Sequence, residues 1–465
     1  MATPGYGETV SLFLSRVMAA LDDGGDTVLF RHDDTTMTRR QAAELLSCLY
    51  YGLSGIRGTV AIDAGNRPEV VLTQLAAQQR GLEVLLIAAS ASRPARTAAV
   101  EATGATLLTD ADLTTLAASP LSTQDTLPGG VTTIFPSGGT TGTPKLVRHR
   151  GIYDGMATIF RPDGTRTVLV TAPLTHMTGN AAVLGALLCG DTVVLHRKFD
   201  ASAVLADIER RRVTSLSLTP ARLAAVLDNP SLPHTDLSSV RQLSVGAAPL
   251  SPRRLGQALS VFGPVVGQGY GLTEAPMIAG ISAGEMLERP ELLGSVGRIV
   301  PGMEARTAEG EVIVRGLSMM EGYHGKPPIA DGWLRTGDLG HFDEDGYLFL
   351  HGRSGDVIVT GEHGTKVAST TVEHALLSHP RVRNAAVFAI PGPDGEGELV
   401  HAAVVTNGPA TVDELRAHVR ETLGGEHFVP TTVDFVDSLP LTAVGKVDKA
   451  LLRSPFWLGH PRNIA

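Results

Sequence analysis

The chain has 465 residues, of which 43% are hydrophobic and 19% charged, enough for two or three domains with ample core and unlike a disordered segment. The formal charge of −9, with 39 lysines and arginines scattered rather than clustered, argues against nucleic acid or an anionic membrane as the main partner. Any anion site must therefore be local. Cys48 and Cys189 lack metal-ligand spacing and read as buried thiols in a reducing compartment. The N-terminus has no basic n-region, Arg16 interrupts its apolar segment, and no uncharged apolar run approaches the ~20 residues that span a bilayer. A cytoplasmic protein is expected.

Taken in order, residues 9 to 21 carry an amphipathic helical pattern built on Val10, Phe13, Leu14, Val17, Met18 and Leu21. Strand and helix patterns then alternate. Thr27 to Phe30 reads as strand, and Thr38 with Gln41 forms a capping box for a helix through Tyr51. Thr59 to Ile62 is strand-like, Pro68 to Arg80 helical, and Glu83 to Ile87 strand; residues 94 to 103 read as helix and Ala105 to Leu108 as strand. This alternation predicts an α/β fold of doubly wound, mainly parallel sheets. Residues 116 to 130, rich in Ser, Thr, Pro and Gly, read as a connection.

The connection leads to Phe135-Pro-Ser-Gly-Gly-Thr-Thr-Gly-Thr-Pro-Lys145, where three glycines lie among hydroxyl side chains. Glycines allow backbone N–H groups to approach phosphate oxygens, hydroxyls add donors, and a lysine neutralises charge. Thr143 and Pro144 separate Gly142 from Lys145, so this is not the Gly-Lys-Ser/Thr loop that opens a helix. Its flanks, Val131 to Phe135 and Leu146 to Arg150, read as strands, so the loop joins strand to strand.

Further on, the strand Thr167 to Val170 runs into Ala172-Pro-Leu-Thr-His-Met-Thr-Gly179, which puts His176 just beyond a strand's carboxyl end, where α/β folds bind ligands. Helical runs follow at 201 to 212 and 221 to 227, then a strand and tight turn at Leu243 to Pro249. Gln268-Gly-Tyr-Gly-Leu-Thr-Glu274 comes next, and residues 296 to 323 alternate apolar and polar positions around many glycines, which suits a small β-subdomain. Trp333-Leu-Arg-Thr-Gly-Asp338 and a turn plus strand ending at Arg353 complete this half. Beyond it a helix is expected near 371 to 378, strands near 385 to 390 and 400 to 405, and a helix over 412 to 423 capped by Thr411 and Glu414. Leu439-Pro-Leu-Thr-Ala-Val-Gly-Lys-Val-Asp-Lys449 closes the series, with only a short tail expected after it and no room for a carrier domain.

Ser137 to Lys145 resembles the phosphate-binding signature of the adenylate-forming superfamily, which includes acyl- and aryl-CoA ligases, carrier-protein adenylation domains and luciferases. Four later motifs resemble the same family in the same order: Gln268 to Glu274, Trp333 to Asp338, the segment ending at Arg353, and Pro440 to Lys449. The resemblance implies a large N-terminal domain over residues 1–353 and a small mobile α+β domain over 354–465. It implies that Ser137, Gly138, Gly139, Thr140, Thr141, Gly142 and Lys145 hold phosphate. Gly246, Ala247 and Ala248 would pack along adenine, with Gln268, Gly269, Tyr270 and Gly271 beside the nucleotide. Thr273 would reach the α-phosphate, Glu274 would hold magnesium, Asp338 would accept both ribose hydroxyls, and Arg353 would face ribose or phosphate. Lys446 would be the catalytic lysine, with Thr140 and Glu274 beside the reacting phosphates and His176 bordering the acid pocket. A hard divalent cation needs only one or two protein carboxylates besides phosphate, which suits a lone Glu274.

The implied reaction is ATP- and Mg2+-dependent attack of a small carboxylic acid on the α-phosphorus, followed by transfer of the acyl group to a thiol, with CoA as the expected co-substrate. No aspartate stands in Pro173-Leu-Thr-His-Met, which favours an aryl or acyl acid over an amino acid. The pattern departs from the family after Arg353: Gly355 occupies the hinge position and the stretch before Val367 is about two residues longer. This bears on the second half-reaction, so a separate carrier protein, an amine or nitrite are alternative acceptors. A non-catalytic nucleotide-binding protein is the alternative from another class.

Overall fold

The computed structural model describes residues 10–122, 127–137, 145–161, 166–360, 365–392, 397–442 and 445–458. Three sheets organise them. A six-stranded sheet takes Thr59–Ala64, Glu83–Ala88, Thr106–Leu108 and Thr132–Ser137 in parallel, then turns antiparallel at Lys145–Arg150 and Gly322–Tyr323. A thirteen-stranded sheet has a parallel centre containing Thr167–Val170, Ser215–Leu218, Gln242–Gly246 and Val266–Tyr270. Antiparallel strands extend it from Ala279–Ile281 through Tyr347–Arg353. The third sheet begins at Val357–Thr360 and belongs to the smaller C-terminal domain.

Local sequence explains many of these elements. The capping boxes of Thr38 with Gln41 and of Thr411 with Glu414 start Arg39–Gly52 and Val412–Leu423, each satisfying helix-end donors on both sides. In Leu12–Asp22 the residues Phe13, Leu14, Val17 and Leu21 are buried, each worth about 1.5–3 kcal/mol of apolar transfer. The β-rich segment continues the ladder of the large sheet, yet has its own apolar core around Val312, Val314, Leu334 and Leu348.

Several helices exceed what the sequence reading anticipated. Met177–Cys189 buries ten of its residues and spreads its apolar positions around the helix, so it shows no amphipathic stripe. Asp110–Ala117, started by a Thr109–Asp112 capping box, fills a stretch to which the sequence reading assigned no element and runs two residues into what read as a connection. The short tail expected after Lys449 is instead the helix Lys449–Trp457, disguised by Pro455 inside it. Trp457 is buried there and its Nε1 donates to Ala389 O at 3.1 Å. Cys189 is buried as expected and Cys48 half-buried, and the two are not joined in a disulfide. Among the described residues no helix is long and apolar enough to cross a membrane.

Candidate active site

The site forms where parallel strands of the large sheet end and the small domain's C-terminal loop meets them, the position at which α/β sheets bind ligands. Gln242–Gly246 and Val266–Tyr270 lie side by side, with Gly246 paired to Gly269. They approach so closely that a Cβ on Gly246 would fall 2.5 Å from Gly269 O. Ala247 then takes φ +70, a left-handed conformation that costs a non-glycine residue about 1–3 kcal/mol, and Ala248 continues the turn. Beside them the buried Oε1 of Gln268 has no partner among the described residues, an acceptor well placed for a ligand N–H.

Tyr270 and Asp338 are the buried centre. Tyr270 OH donates to Asp338 Oδ2 at 2.6 Å, and Arg353 Nε stands 3.0 Å from Oδ1. Asp338 and Arg353 face each other across two antiparallel strands, so register sets the pair. Thr336 Oγ1 accepts from Asp338 N at 3.1 Å. Asp338 is 7% exposed, and burial raises its carboxyl above the ordinary value despite Arg353, Tyr270 and Lys446. A carboxylate offers about four acceptor sites. Two serve protein donors here, leaving two for a diol.

Lys446 enters from the small domain on a tightly bonded loop. Thr442 N donates to Lys446 O at 2.8 Å, Gly445 N to Thr442 O at 2.8 Å, and Asp448 N to Pro440 O at 2.8 Å. Lys449 Nζ anchors the loop's base to Glu373 at 2.8 Å. Lys446 is exposed to solvent on this loop. Desolvation and Arg353 lower its proton affinity, while Asp338 and Glu274 oppose them, so these four charges share one neighbourhood.

Glu274 is half-buried and its Oε1 accepts from Tyr323 OH at 3.1 Å. The Tyr323 ring lies 5.4 Å from Lys145 Nζ, and its phenol is raised by burial and then by Glu274. Lys145 pairs with Ser137 across the strands that close the phosphate loop, and Ser137 Oγ donates to Lys145 O at 3.4 Å. Tyr323 thus joins the foot of that loop to Glu274. Gly138, Gly139, Thr140, Thr141 and Gly142 lie outside the described residues. Thr273 is fixed through its carbonyl, which takes a 2.6 Å bond from His149 Nε2, and Gly271 continues the chain from Tyr270. His149 is fully buried and burial pushes it down to about 4, so it is neutral at pH 7.

His176 precedes the helix Met177–Cys189 and borders a small cavity with Leu86, Ile87, Ala88, Ala91 and Thr175, whose buried Oγ1 has no partner among the described residues. Burial, then Lys446 and Arg222, push His176 down to about 4. Arg222 is itself buried, donates to Thr171 Oγ1 at 3.4 Å and lies over the Phe199 ring. Sequence reasoning missed His149, Tyr323 and Arg222. Tyr323 had the one usable signal, a Gly-Tyr pair amid glycine-rich strands.

Glu274 offers a hard oxygen donor that a tyrosine orients, which fits a divalent cation. Among the described residues no three His, Cys, Asp or Glu side chains gather to hold a metal, so an ion at Glu274 would take its other ligands from phosphate and water. The orphan acceptor of Gln268 and the spare lone pairs of Asp338 fit adenine and ribose in the same way.

Residues 110–324 match the family described as AMP-binding enzyme, and residues 371–446 match the AMP-binding enzyme C-terminal domain. The medium/long-chain-fatty-acid–CoA ligase FadD8 of Mycobacterium tuberculosis is 36% identical over 378 residues, 74% of this chain and 65% of that protein. Feruloyl-CoA synthase from an Amycolatopsis species is 34% identical over 344 residues, 68% of each. The chain thus spans about two thirds of the length of these curated relatives. Among solved structures, amide bond synthetase McbA from Marinactinospora thermotolerans is similar with a TM-score of 0.81 and 33% identity, covering 96% of this chain and 100% of that one. The chain belongs to the adenylate-forming superfamily of AMP-binding enzymes.

Proposed function

We propose that this enzyme is an ATP- and Mg2+-dependent ligase that converts a small carboxylic acid to its acyl- or aryl-adenylate and passes the acyl group to the thiol of CoA. The observation that carries this reading is that Lys446, from the small domain, lies within electrostatic reach of Glu274 and of the Asp338–Arg353 pair that Tyr270 also bonds in the large domain. CoA ligases among the relatives support the acceptor. In the first step a carboxylate oxygen bonds to the α-phosphorus and the bond to pyrophosphate breaks; in the second, sulfur attacks the acyl carbon and AMP leaves. Charge neutralisation and positioning do most of such work.

Adenine would lie along residues 246 to 248 with Gln268 at its edge, and ribose would bridge to Asp338. Thr273 would meet the α-phosphate and residues 137 to 145 the leaving pyrophosphate. Lys446, beside Arg353, Asp338 and Glu274, would stabilise the negative charge that builds between acid and phosphate. Magnesium at Glu274 would supply charge neutralisation on the phosphates. His176, neutral, would border the apolar end of the acid. We place the domain boundary at 353/354.

The test is ATP–pyrophosphate exchange with a panel of aryl and acyl acids, then product analysis with CoA. Exchange together with a CoA ester is the expected result; absence of exchange with every acid overturns the reading. A second reading keeps adenylation and replaces the thiol by an amine. Similarity to an amide bond synthetase over nearly the whole of both chains favours it. Exchange without a CoA ester, and an amide on adding amines, would select this reading. Loading of an added carrier protein would identify a third acceptor.

A further inference from the structure

The helix Pro220–Leu227 of the large domain holds the small domain at both of its ends. Thr219 is its N-cap, a residue type that usually turns its hydroxyl toward the first free N–H groups of the helix. Here no side-chain capping bond forms, and Thr219 Oγ1 donates instead to Gly445 O at 3.1 Å, in a buried contact 226 residues away in sequence. Gly445 has φ +78, and a Cβ on it would come 2.9 Å from Arg222 Nε and 3.0 Å from Thr219 Oγ1. The backbone immediately before Lys446 is therefore seated on the first turn of this helix.

Asp228 is the C-cap at the other end. An acidic side chain there opposes the helix dipole, so helix formation alone does not account for it. Arg254 from the large domain forks the carboxylate at 2.7 and 2.8 Å, and Arg383 Nε from the small domain reaches Oδ2 at 2.9 Å. Next to it Arg253 Nη2 donates to Val382 O at 2.8 Å.

We infer that Thr219 and the Asp228–Arg383 pair are positioning residues, a two-point clasp that seats Lys446 for adenylation and opens before acyl transfer. A single contact would leave the small domain free to pivot about it, whereas contacts at both ends of a rigid helix fix the orientation of the Lys446 loop. The buried contact lies beside the lysine, and the ionic one is partly exposed, with 48% of the Arg383 side chain in solvent. The second contact is therefore the one that salt weakens. The inference rests on the proposed role of Lys446 in adenylation.

Thr219→Val, Arg383→Ala and Arg383→Lys test it in the full-length chain. Adenylate formation should fall about five- to tenfold in each of the first two, the scale of one lost hydrogen bond. Acyl transfer from supplied adenylate should hold or rise, and Arg383→Lys should recover most of the loss. Hydrogen exchange gives a readout independent of turnover: amides of residues 439–449 and 220–228 should exchange faster in the Thr219→Val/Arg383→Ala double variant, with the core unchanged. Unaltered exchange in both segments overturns the clasp, as does equal loss in both half-reactions. If the wild type adenylates no acid, the functional reading fails by that result, and the exchange measurement still decides the clasp.

Discussion

Asp338→Asn separates ligand binding from folding with one nearly isosteric change. Asp338 is 7% exposed, and burial outweighs Arg353, Tyr270 and Lys446 in setting its carboxyl above the ordinary value. The folded chain thus holds this proton more tightly than the unfolded chain. From about the ordinary value of 3.8 up to the raised folded value the folded state carries more protons, so the charged Asp338 subtracts from stability as pH rises. Asparagine removes that burden while keeping an acceptor for Tyr270. It also turns one carboxylate oxygen into an N–H donor, so a ribose hydroxyl loses a charged acceptor worth about 1.5–3 kcal/mol. ATP affinity should fall about 10- to 150-fold while the melting temperature stays level or rises. Calorimetric titration with ATP and with its 2′,3′-dideoxy analogue, beside melting curves, makes the comparison. The wild type should discriminate between the two nucleotides and the variant should not. Unchanged ATP binding with a lowered melting temperature would refute the reasoning, because Asp338 would then serve the fold alone.

Lys446→Ala should lower adenylate formation by ~10²- to 10³-fold and spare thioester formation from supplied adenylate; equal loss in both steps contradicts its role. His149 and His176, both held near about 4, bind fewer protons when folded than when unfolded between pH 4 and 6.5, so stability should drop as pH falls through that window. Urea midpoints at pH 7 and pH 5 should differ by on the order of 2–4 kcal/mol of stability, and a flat profile would contradict both assignments. Gly355 lies in the turn Ser354–Asp356 with open space where a Cβ would stand, so Gly355→Pro should fold. In a quenched time course it should form adenylate normally and slow its transfer; wild-type rates in both steps would remove residue 355 from the hinge.

What the sequence made legible were features whose signal is local. Thr411 and Glu414 announce a helix three residues apart, and the helix spans Val412–Leu423. The nucleotide motifs are contiguous, so the resemblance led to Tyr270, Asp338 and Arg353, and the strand register then joins two of them. Partnerships between distant segments left no such trace. A threonine before a proline reads as an ordinary cap, and nothing near Thr219 points to Gly445. His149 reads as an inward strand residue, and its bond to Thr273 O spans 124 positions. Lys449–Trp457 stayed hidden because Pro455 normally ends a helix, whereas packing of Trp457 on the small domain's core retains it.

The ladder order of the large sheet also has a consequence during synthesis. Val28–His32 pairs with Thr192–Leu195, so an early strand waits for a partner roughly 160 residues behind it on the ribosome. At ~5–20 residues per second that delay is on the order of 8–30 s. Four parallel strands and the antiparallel Lys145–Arg150 of the six-stranded sheet are all translated within that interval. The nascent chain can build one sheet while the hairpin of Val28–His32 and Thr35–Thr38 still shows an unpaired edge. That edge is the segment for which a chaperone, or another nascent chain, competes with Thr192–Leu195.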